Sequence, residues 1–340
     1  MTGRIARTIN RLLRGSDLTV PRWSLHQQMF ERAVLIVQVY YVITLFMLYE
    51  RSRRMAGLNL LAETLDPLWP VAWLDAVGLG PGGTMLAHLA LVAGVLGILC
   101  WHMLWVRVLV SIALLQFVAV SNSFGWMGHG FHSWFWISVA LWFLPAGRDA
   151  PVGATRATRM RFLIGFSAAP GLFLLFYSLS GAYKVAHAIV GLFTDDISGF
   201  APRAMATTLA WRTFETSSEP LWAPLIIHNP LLGWPLYLGL YYVEFFAILT
   251  LFRPRLHKIW GLLMIAFHIG TFLFLEITFP EHVLINGLFL VLSPFALGLT
   301  DWRRALGALP IIGLPFRPVR VRRWSLRSET APGSIPDHAQ

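Results

Sequence analysis

The run FLIGFSAAPGLFLLFYSLSGAYK, residues 162–184, decides the fold class of this chain. No charged residue precedes Lys184 in the run, and most of its side chains are apolar. A helix that rises 1.5 Å per residue needs about 20 such residues to cross the hydrocarbon core of a bilayer. The run is therefore predicted to be a transmembrane helix that ends in a lysine.

Apolar runs of this kind recur along most of the sequence. Of its 340 residues, 56% are hydrophobic and 13% are charged, whereas a soluble domain has about 25% charged residues. The mean hydropathy is +0.61. We therefore predict an all-α membrane protein, a polytopic bundle of about eight transmembrane helices. The predicted spans are residues 33–49, 84–104, 106–121, 131–146, 162–184, 234–252, 259–278 and 283–299.

The distribution of basic residues predicts the topology. The net charge is +10, but the arginines form short clusters beside apolar runs, which indicates membrane orientation rather than nucleic-acid binding. With both termini cytoplasmic, most of the basic residues lie inside, and the cluster at Arg51 is the misfit. We expect a multi-pass protein of the cell (inner) membrane. Residues 1–24 form a basic cytoplasmic segment, 25–300 the transmembrane domain with extracytoplasmic segments 50–83 and 185–233, and 301–340 a basic, then disordered, cytoplasmic tail.

Several common chemistries have no signal in this sequence. Cys100 is the single cysteine, so neither a disulfide within the chain nor a cysteine zinc site is expected. No Walker loop, GxSxG, HExxH or CxxC motif occurs. His129 and His132 have a spacing that a metal can use, but Gly130 and the lack of a nearby carboxylate favour interfacial hydrogen bonding. We predict no metal site.

Lys184 is the first candidate functional residue. It ends a membrane span on the side where the positive-inside rule disfavours a cation, with Tyr183 beside it and His187 on the same helical face. One interpretation is a lysine that extends to the lipid headgroups. The other is a lysine that faces the bundle, where loss of water would let the neutral amine act as a base.

Glu244 and His268 are two further ionisable residues within predicted spans. Glu244 is near the middle of the sixth span and needs a partner or a proton there; Lys184, His268 and Tyr241 are the candidates. The alternatives are a structural polar clamp for Glu244 and a packing role for His268.

The second half of the chain resembles the HTTM superfamily, the transmembrane domain shared by vitamin K-dependent γ-glutamyl carboxylases and many bacterial membrane proteins. The stretches that carry the resemblance are YSLSGAYKVAHAIVG, YYVEFFAIL and HKIWGLLMIAFHIGTFLFLEITFP. The resemblance covers roughly residues 25–300 and is strongest between 173 and 295.

The resemblance implies a role for each polar residue. Lys184 would be the base that deprotonates a reduced quinone, such as a menaquinone or vitamin K-like quinol. His132, which opens HSWFWISVALWFLPAG, would hydrogen-bond a quinol oxygen. Glu244 and His268 would hold the lysine side of the pocket. The large lumenal region of the carboxylases has no counterpart in this sequence, so glutamate carboxylation is not expected of this chain acting alone.

Three functions follow from these observations. The first is a membrane enzyme or enzyme subunit with a quinol- or lipid-type cosubstrate. The second is a non-catalytic membrane factor for the maturation or export of a secreted peptide or protein, acting with a small partner protein. A transporter is the least favoured, and the sequence leaves open whether the protein is an enzyme at all.

Overall fold

The computed structural model describes residues 22–57, 66–124, 128, 131–146, 155–194, 197–298 and 305–313, with side chains from Leu25 onward. Every regular element in these ranges is a helix. Residues 1–21, most of the predicted tail and His129 lie outside the described residues. The predictions made for them therefore stay predictions.

These ranges contain twelve α-helices, and a π-helical segment, Asn286–Val291, follows the last of them. They are α1 (Arg22–Ala56), α2 (Leu74–Val77), α3 (Leu79–Cys100), α4 (Leu104–Ser121), α5 (His132–Ala140), α6 (Arg156–Val190), α7 (Ala204–Thr216), α8 (Ala223–His228), α9 (Pro230–Phe245), α10 (Ala247–Leu251), α11 (His257–Leu275) and α12 (Pro280–Ile285).

Five helical segments are long and apolar enough to cross a membrane: Leu25–Ala56, Leu79–Cys100, Leu104–Ser121, Arg156–Val190 and Pro254–Leu275. The prediction of an all-α protein with several membrane helices is thereby confirmed for the described residues. The prediction of eight spans is not. The fourth, sixth and eighth predicted spans are α5, the pair α9 and α10, and α12 with its π-helical continuation, and each is shorter or interrupted.

Local sequence explains where several helices begin. The hydroxyl of Thr155 accepts a hydrogen bond from the amide of Thr158 at 3.2 Å and caps α6. Pro230 and Pro280 are the first residues of α9 and α12, where the missing amide hydrogen of proline costs nothing.

The sixth predicted span is interrupted at Phe246, whose backbone angles of φ −90° and ψ 6° leave the helical region. Ser178 of α6 compensates for the broken hydrogen bonds. Its hydroxyl accepts from the amide of Ile248 at 2.8 Å and donates to the carbonyl of Phe245 at 3.1 Å. Backbone groups inside a membrane must be paired within the protein, so the break depends on this serine.

Aromatic contacts attach α5 to α1. The ring of Tyr40 stacks on Trp134 with centroids 4.7 Å apart, and its hydroxyl donates to the Trp134 carbonyl at 2.6 Å. The Trp134 indole donates in turn to Thr44 at 2.8 Å. All three side chains are fully buried. These contacts fix α5 and therefore its first residue, His132.

Arg51, the misfit in the charge pattern, makes contacts within the protein. Its guanidinium lies 4.0 Å from the ring centroid of Phe131 and 5.5 Å from that of Phe117, a cation–π geometry. It also interacts electrostatically with Glu281. These internal contacts account for a basic residue at a position where the predicted topology does not favour one.

The close contact of α6 with α9 gives a first prediction. A Cβ at Gly181 would overlap the backbone of Glu244 and Phe245, so Gly181→Ala should lower the free energy of unfolding by about 1–3 kcal/mol through overpacking. Unfolding titrations of the purified protein in mixed micelles measure the change. Gly239→Ala is the matched control, because a Cβ there meets nothing within 4 Å. Equal stability of the two variants would contradict the prediction.

Candidate functional site

Lys184, near the end of α6, and Glu244, the second-to-last residue of α9, form an ion pair. The lysine Nζ lies 2.5 Å from Oε2 of the glutamate. The Glu244 side chain is 4% exposed and that of Lys184 is 34% exposed. The Lys184 side chain is therefore turned toward the bundle.

Helical spacing on α6 explains why the lysine reaches this position. Ser178, Gly181 and Lys184 are separated by three residues each and lie on one face of the helix. Ser178 holds the break after α9, and Gly181 has no side chain to separate the two backbones. The next residue on this face is the lysine, which meets Glu244 across the contact.

The ion pair lies on the wall of a cavity of about 530 Å³. The volume falls within the usual range of small-molecule sites, about 300–1,000 Å³. Aromatic side chains form much of the wall, and the remaining lining groups are mostly polar. The lining residues are His132, Ser133, Trp136, Phe173, Phe176, Tyr177, Ser180, Lys184, Glu244, Phe267, His268, Phe279 and His282.

Tyr177 and His268 form the buried polar group at the rear of this cavity. The Tyr177 hydroxyl is hydrogen-bonded to Nε2 of His268. The side-chain amide of Asn286 lies 3.5 Å from the same hydroxyl and donates to the carbonyl of His282 at 2.8 Å. The network joins α6, α11 and the start of the π-helical segment.

A second pair of polar contacts holds the other two histidines. Nε2 of His282 lies 3.0 Å from the hydroxyl of Ser133, and Nε2 of His132 lies 3.2 Å from the side-chain nitrogen of Asn122. Asn122 is nearly buried and also accepts from the amide of Gly128 at 2.7 Å. The cavity thus contains three histidines held by neutral partners.

Glu281 stabilises the backbone directly before His132. It is 3% exposed, and its Oε1 accepts from the amide of Phe131 at 3.3 Å. Phe131 has a positive φ of 63°, a conformation that is unfavourable for a bulky residue. Since His132 follows Phe131 and His282 follows Glu281, this bond sets the positions of both rings.

Four of the seven predicted site residues meet in the cavity: Lys184, His132, Glu244 and His268. Of the three candidate partners of Glu244, Lys184 is the one that forms a hydrogen bond with it. Nε2 of His268 is bonded to Tyr177. Glu244 is on α9 and His268 is near the middle of α11. The positions of these residues along their spans could not show which side chains would meet.

The other three predicted residues do not line the cavity. Tyr183 is 73% exposed, because successive residues of a helix point about 100° apart and Lys184 faces inward. His187 is also exposed, with its ring 6.3 Å from that of Tyr183. Tyr241 is buried, but its ring packs on Tyr237 at 4.9 Å, away from the cavity. Their predicted supporting roles stay predictions.

The sequence analysis missed Tyr177, His282 and Asn286. Tyr177 precedes Lys184 by seven residues, the separation of two helical turns, so the lysine itself could have indicated it. His282 and Asn286 are four residues apart in an otherwise apolar run, which is the same kind of signal. Within the described residues, no group of three His, Cys, Asp or Glu side chains is placed to hold a metal ion.

Comparison with protein-family models, curated proteins and solved structures gives no match to this chain. The resemblance to the HTTM superfamily therefore stays a prediction, which rests on the stretches quoted above.

The ion pair gives a second prediction, because its two members differ in exposure. Lys184→Met should lower the free energy of unfolding by about 1–3 kcal/mol, because it leaves a buried carboxylate without its cation. The expected loss is smaller than for a fully buried pair, because the lysine is partly hydrated. Glu244→Gln should cost less, because Lys184 can regain water. Unfolding titrations of both variants and of the double variant measure the coupling. Additive losses in the double variant would show that the pair contributes nothing.

Proposed function

We propose that this chain is a polytopic membrane enzyme or enzyme subunit of the HTTM type, which binds a reduced quinone or similar lipid-soluble cosubstrate and uses Lys184 as a base. The observation that carries the proposal is the ion pair on the wall of a cavity within an apolar bundle. Ionisable groups in membrane spans are costly, and they commonly mark a functional site.

The lining of the cavity suits a flat, partly polar ring. Phe173, Phe176, Phe267 and Phe279 supply apolar faces, and the histidines and Tyr177 supply hydrogen-bonding groups. Such a combination of mostly apolar walls with a few polar groups is typical of small-molecule sites. A quinol offers the matching surfaces, an aromatic face and two hydroxyl groups.

The position of the cavity mouth favours a ligand that arrives through the bilayer. Trp136 and Phe176 line the cavity, yet they are 42% and 37% exposed, with ring centroids 6.2 Å apart. Both belong to apolar helices whose outer surfaces face lipid. A molecule dissolved in the hydrocarbon can therefore reach the ion pair between α5 and α6 without crossing water.

The short contact between Lys184 and Glu244 determines how the lysine can act as a base. As an ammonium ion it has no lone pair, so its proton must first move to Glu244, which leaves a neutral amine beside a neutral carboxyl. The amine then accepts the proton of a ligand hydroxyl, and the ligand keeps the electron pair as an anion beside the new ammonium. A reduced quinone supplies the acidic hydroxyl in this scheme, and His132 is placed to hydrogen-bond a ligand oxygen.

The proposal includes the full topology. The protein lies in the inner cell membrane, crosses it with eight segments and has both termini in the cytoplasm. The basic residues of α6 and α11 support it. Arg156, Arg159 and Arg161 begin α6, and Lys258 is the second residue of α11. These ends lie opposite the cavity, which would then open in the outer half of the membrane.

A third prediction tests the base. Purified protein should accelerate the oxidation of menadiol by dissolved oxygen, since a deprotonated quinol gives up two electrons to oxygen more readily, forming menadione and hydrogen peroxide. Lys184→Arg should reduce this acceleration by roughly 10²-fold or more, because arginine stays protonated. The absorbance of menadione follows the reaction.

The chain contains only one other lysine, Lys258, which provides a matched control. Lys258→Arg should leave the rate unchanged, because its Nζ donates to the carbonyl of Gly298 and lies outside the cavity. Quenching of Trp136 fluorescence by menadione should report binding, with Trp136→Phe to identify the signal. Normal oxidation by Lys184→Arg would remove the base role.

The alternative function, a non-catalytic factor for a secreted peptide or protein, is favoured by a different observation. Helix α7 and the turn before α8 carry exposed apolar residues, among them Trp211, Phe214 and Leu221 at 63%, 76% and 75% exposure. Such a patch can bind a partner protein. In this case Lys184→Arg would preserve the maturation of the partner, and deletion of residues 197–229 would abolish it.

The structure gives less support to a transporter. Below the cavity, the core contains tightly packed rings, with Phe166 and Phe289 stacked at 5.5 Å and Trp260 fully buried. A transport path would have to pass between these side chains. Uptake assays in proteoliposomes would detect transport.

A further inference from the structure

A second cavity, which none of the functions above uses, lies between α7, α9 and α11. Its volume is about 360 Å³, and none of its lining residues is charged. We call it the α9–α11 groove. Met205, Thr208 and Leu209 of α7 lie across its end, and it continues between the two longer helices.

The groove has the depth of one bilayer leaflet. On α9 its lining extends from Pro235 to Val243, and on α11 from Leu275 back to Leu263. At 1.5 Å per residue, these stretches correspond to about 12 Å and 18 Å along the helix axes. Half of a hydrocarbon core of about 30 Å is about 15 Å. The groove therefore matches the length that one lipid chain occupies in a leaflet.

Two glycines widen the groove without serving the packing of the helices. A Cβ at Gly239 would meet nothing within 4 Å, and one at Gly270 would meet only Phe274 at 3.9 Å. By contrast, a Cβ at Gly181 or Gly261 would overlap a neighbouring segment. The space beside Gly239 and Gly270 is thus open to a molecule that is not part of the chain.

A cation lies on the same helical face as the residues that close the groove. Arg212 follows Thr208 by four residues and Leu209 by three. One of its terminal nitrogens donates to Glu215 at 3.1 Å, and its side chain is 34% exposed. A guanidinium that is accessible from outside the protein is a good donor to phosphate.

We propose that the α9–α11 groove binds a bilayer phospholipid, with one acyl chain between α9 and α11 and the phosphate against Arg212. The apolar lining, the leaflet depth, the open space at the glycines and the accessible guanidinium all fit this one class of molecule. The proposal does not depend on the chemistry of Lys184, because the groove and the cavity beside Lys184 share a single lining residue, Phe267.

Native mass spectrometry of the purified protein with 1-palmitoyl-2-oleoyl-phosphatidylglycerol tests the acyl-chain site. The wild type should retain one phospholipid, and Gly239→Leu, which fills the groove, should lower its occupancy by roughly tenfold or more, equivalent to the loss of about two buried methylene groups. Gly287→Leu is the matched control, since a Cβ at Gly287 also meets nothing within 4 Å and Gly287 does not line the groove. Equal retention in the three proteins would overturn the proposal.

Two further measurements test the occupant. The wild type should prefer phosphatidylglycerol to dioleoylglycerol, which has no phosphate, and Arg212→Gln should remove this preference. Displacement of the phospholipid by menaquinone-4 would show instead that the groove holds the tail of the cavity ligand, and would overturn the assignment. Thermal unfolding of Gly239→Leu should match that of the control, which separates loss of lipid from loss of fold.

Discussion

The contact between Gly181 and the backbone of Glu244 and Phe245 is the constraint on which the site depends. It brings α6 and α9 close enough for Ser178 to satisfy the break after α9 and for Lys184 to reach Glu244. Any side chain at position 181 would separate the helices. The serine would then lose its backbone partners, and a carboxylate that is 4% exposed would lose its cation. A single missing side chain therefore supports both the fold and the chemistry.

The interruptions of the helical bundle are concentrated at the cavity. The three predicted spans that are not long, continuous helices provide His132 from α5, Glu244 from α9 and His282 from α12, and all three side chains line the cavity. A straight, fully apolar helix would instead have filled this space with side chains. Irregular backbone inside a membrane is tolerated where it is buried in protein or lines a cavity. The shortened helices and the polar site are thus two aspects of one arrangement.

Hydropathy predicted the class of fold and five of the membrane helices, because length and apolarity are properties of a single segment. It could not predict the interruption at Phe246, which depends on a hydroxyl from another helix. The same limit applies to the site. That Lys184, Glu244, His268 and His132 would be polar groups within apolar runs was visible in the sequence. Which of them would meet was not, and the hydrogen bond from Tyr177 to His268 had no sequence signal until Lys184 was taken as a reference point on α6.

The unequal exposure of the ion pair suggests how ligand binding and proton transfer are coupled in the proposed mechanism. The Lys184 side chain is one-third exposed, so water reaches its amino group, whereas Glu244 is already withdrawn from water. A ligand that covers the lysine removes that water and disfavours two separate charges relative to a neutral amine and a neutral carboxyl. The contact of 2.5 Å lets the proton move between them without a rearrangement of either helix. The base would thus be formed by the arrival of the molecule on which it acts.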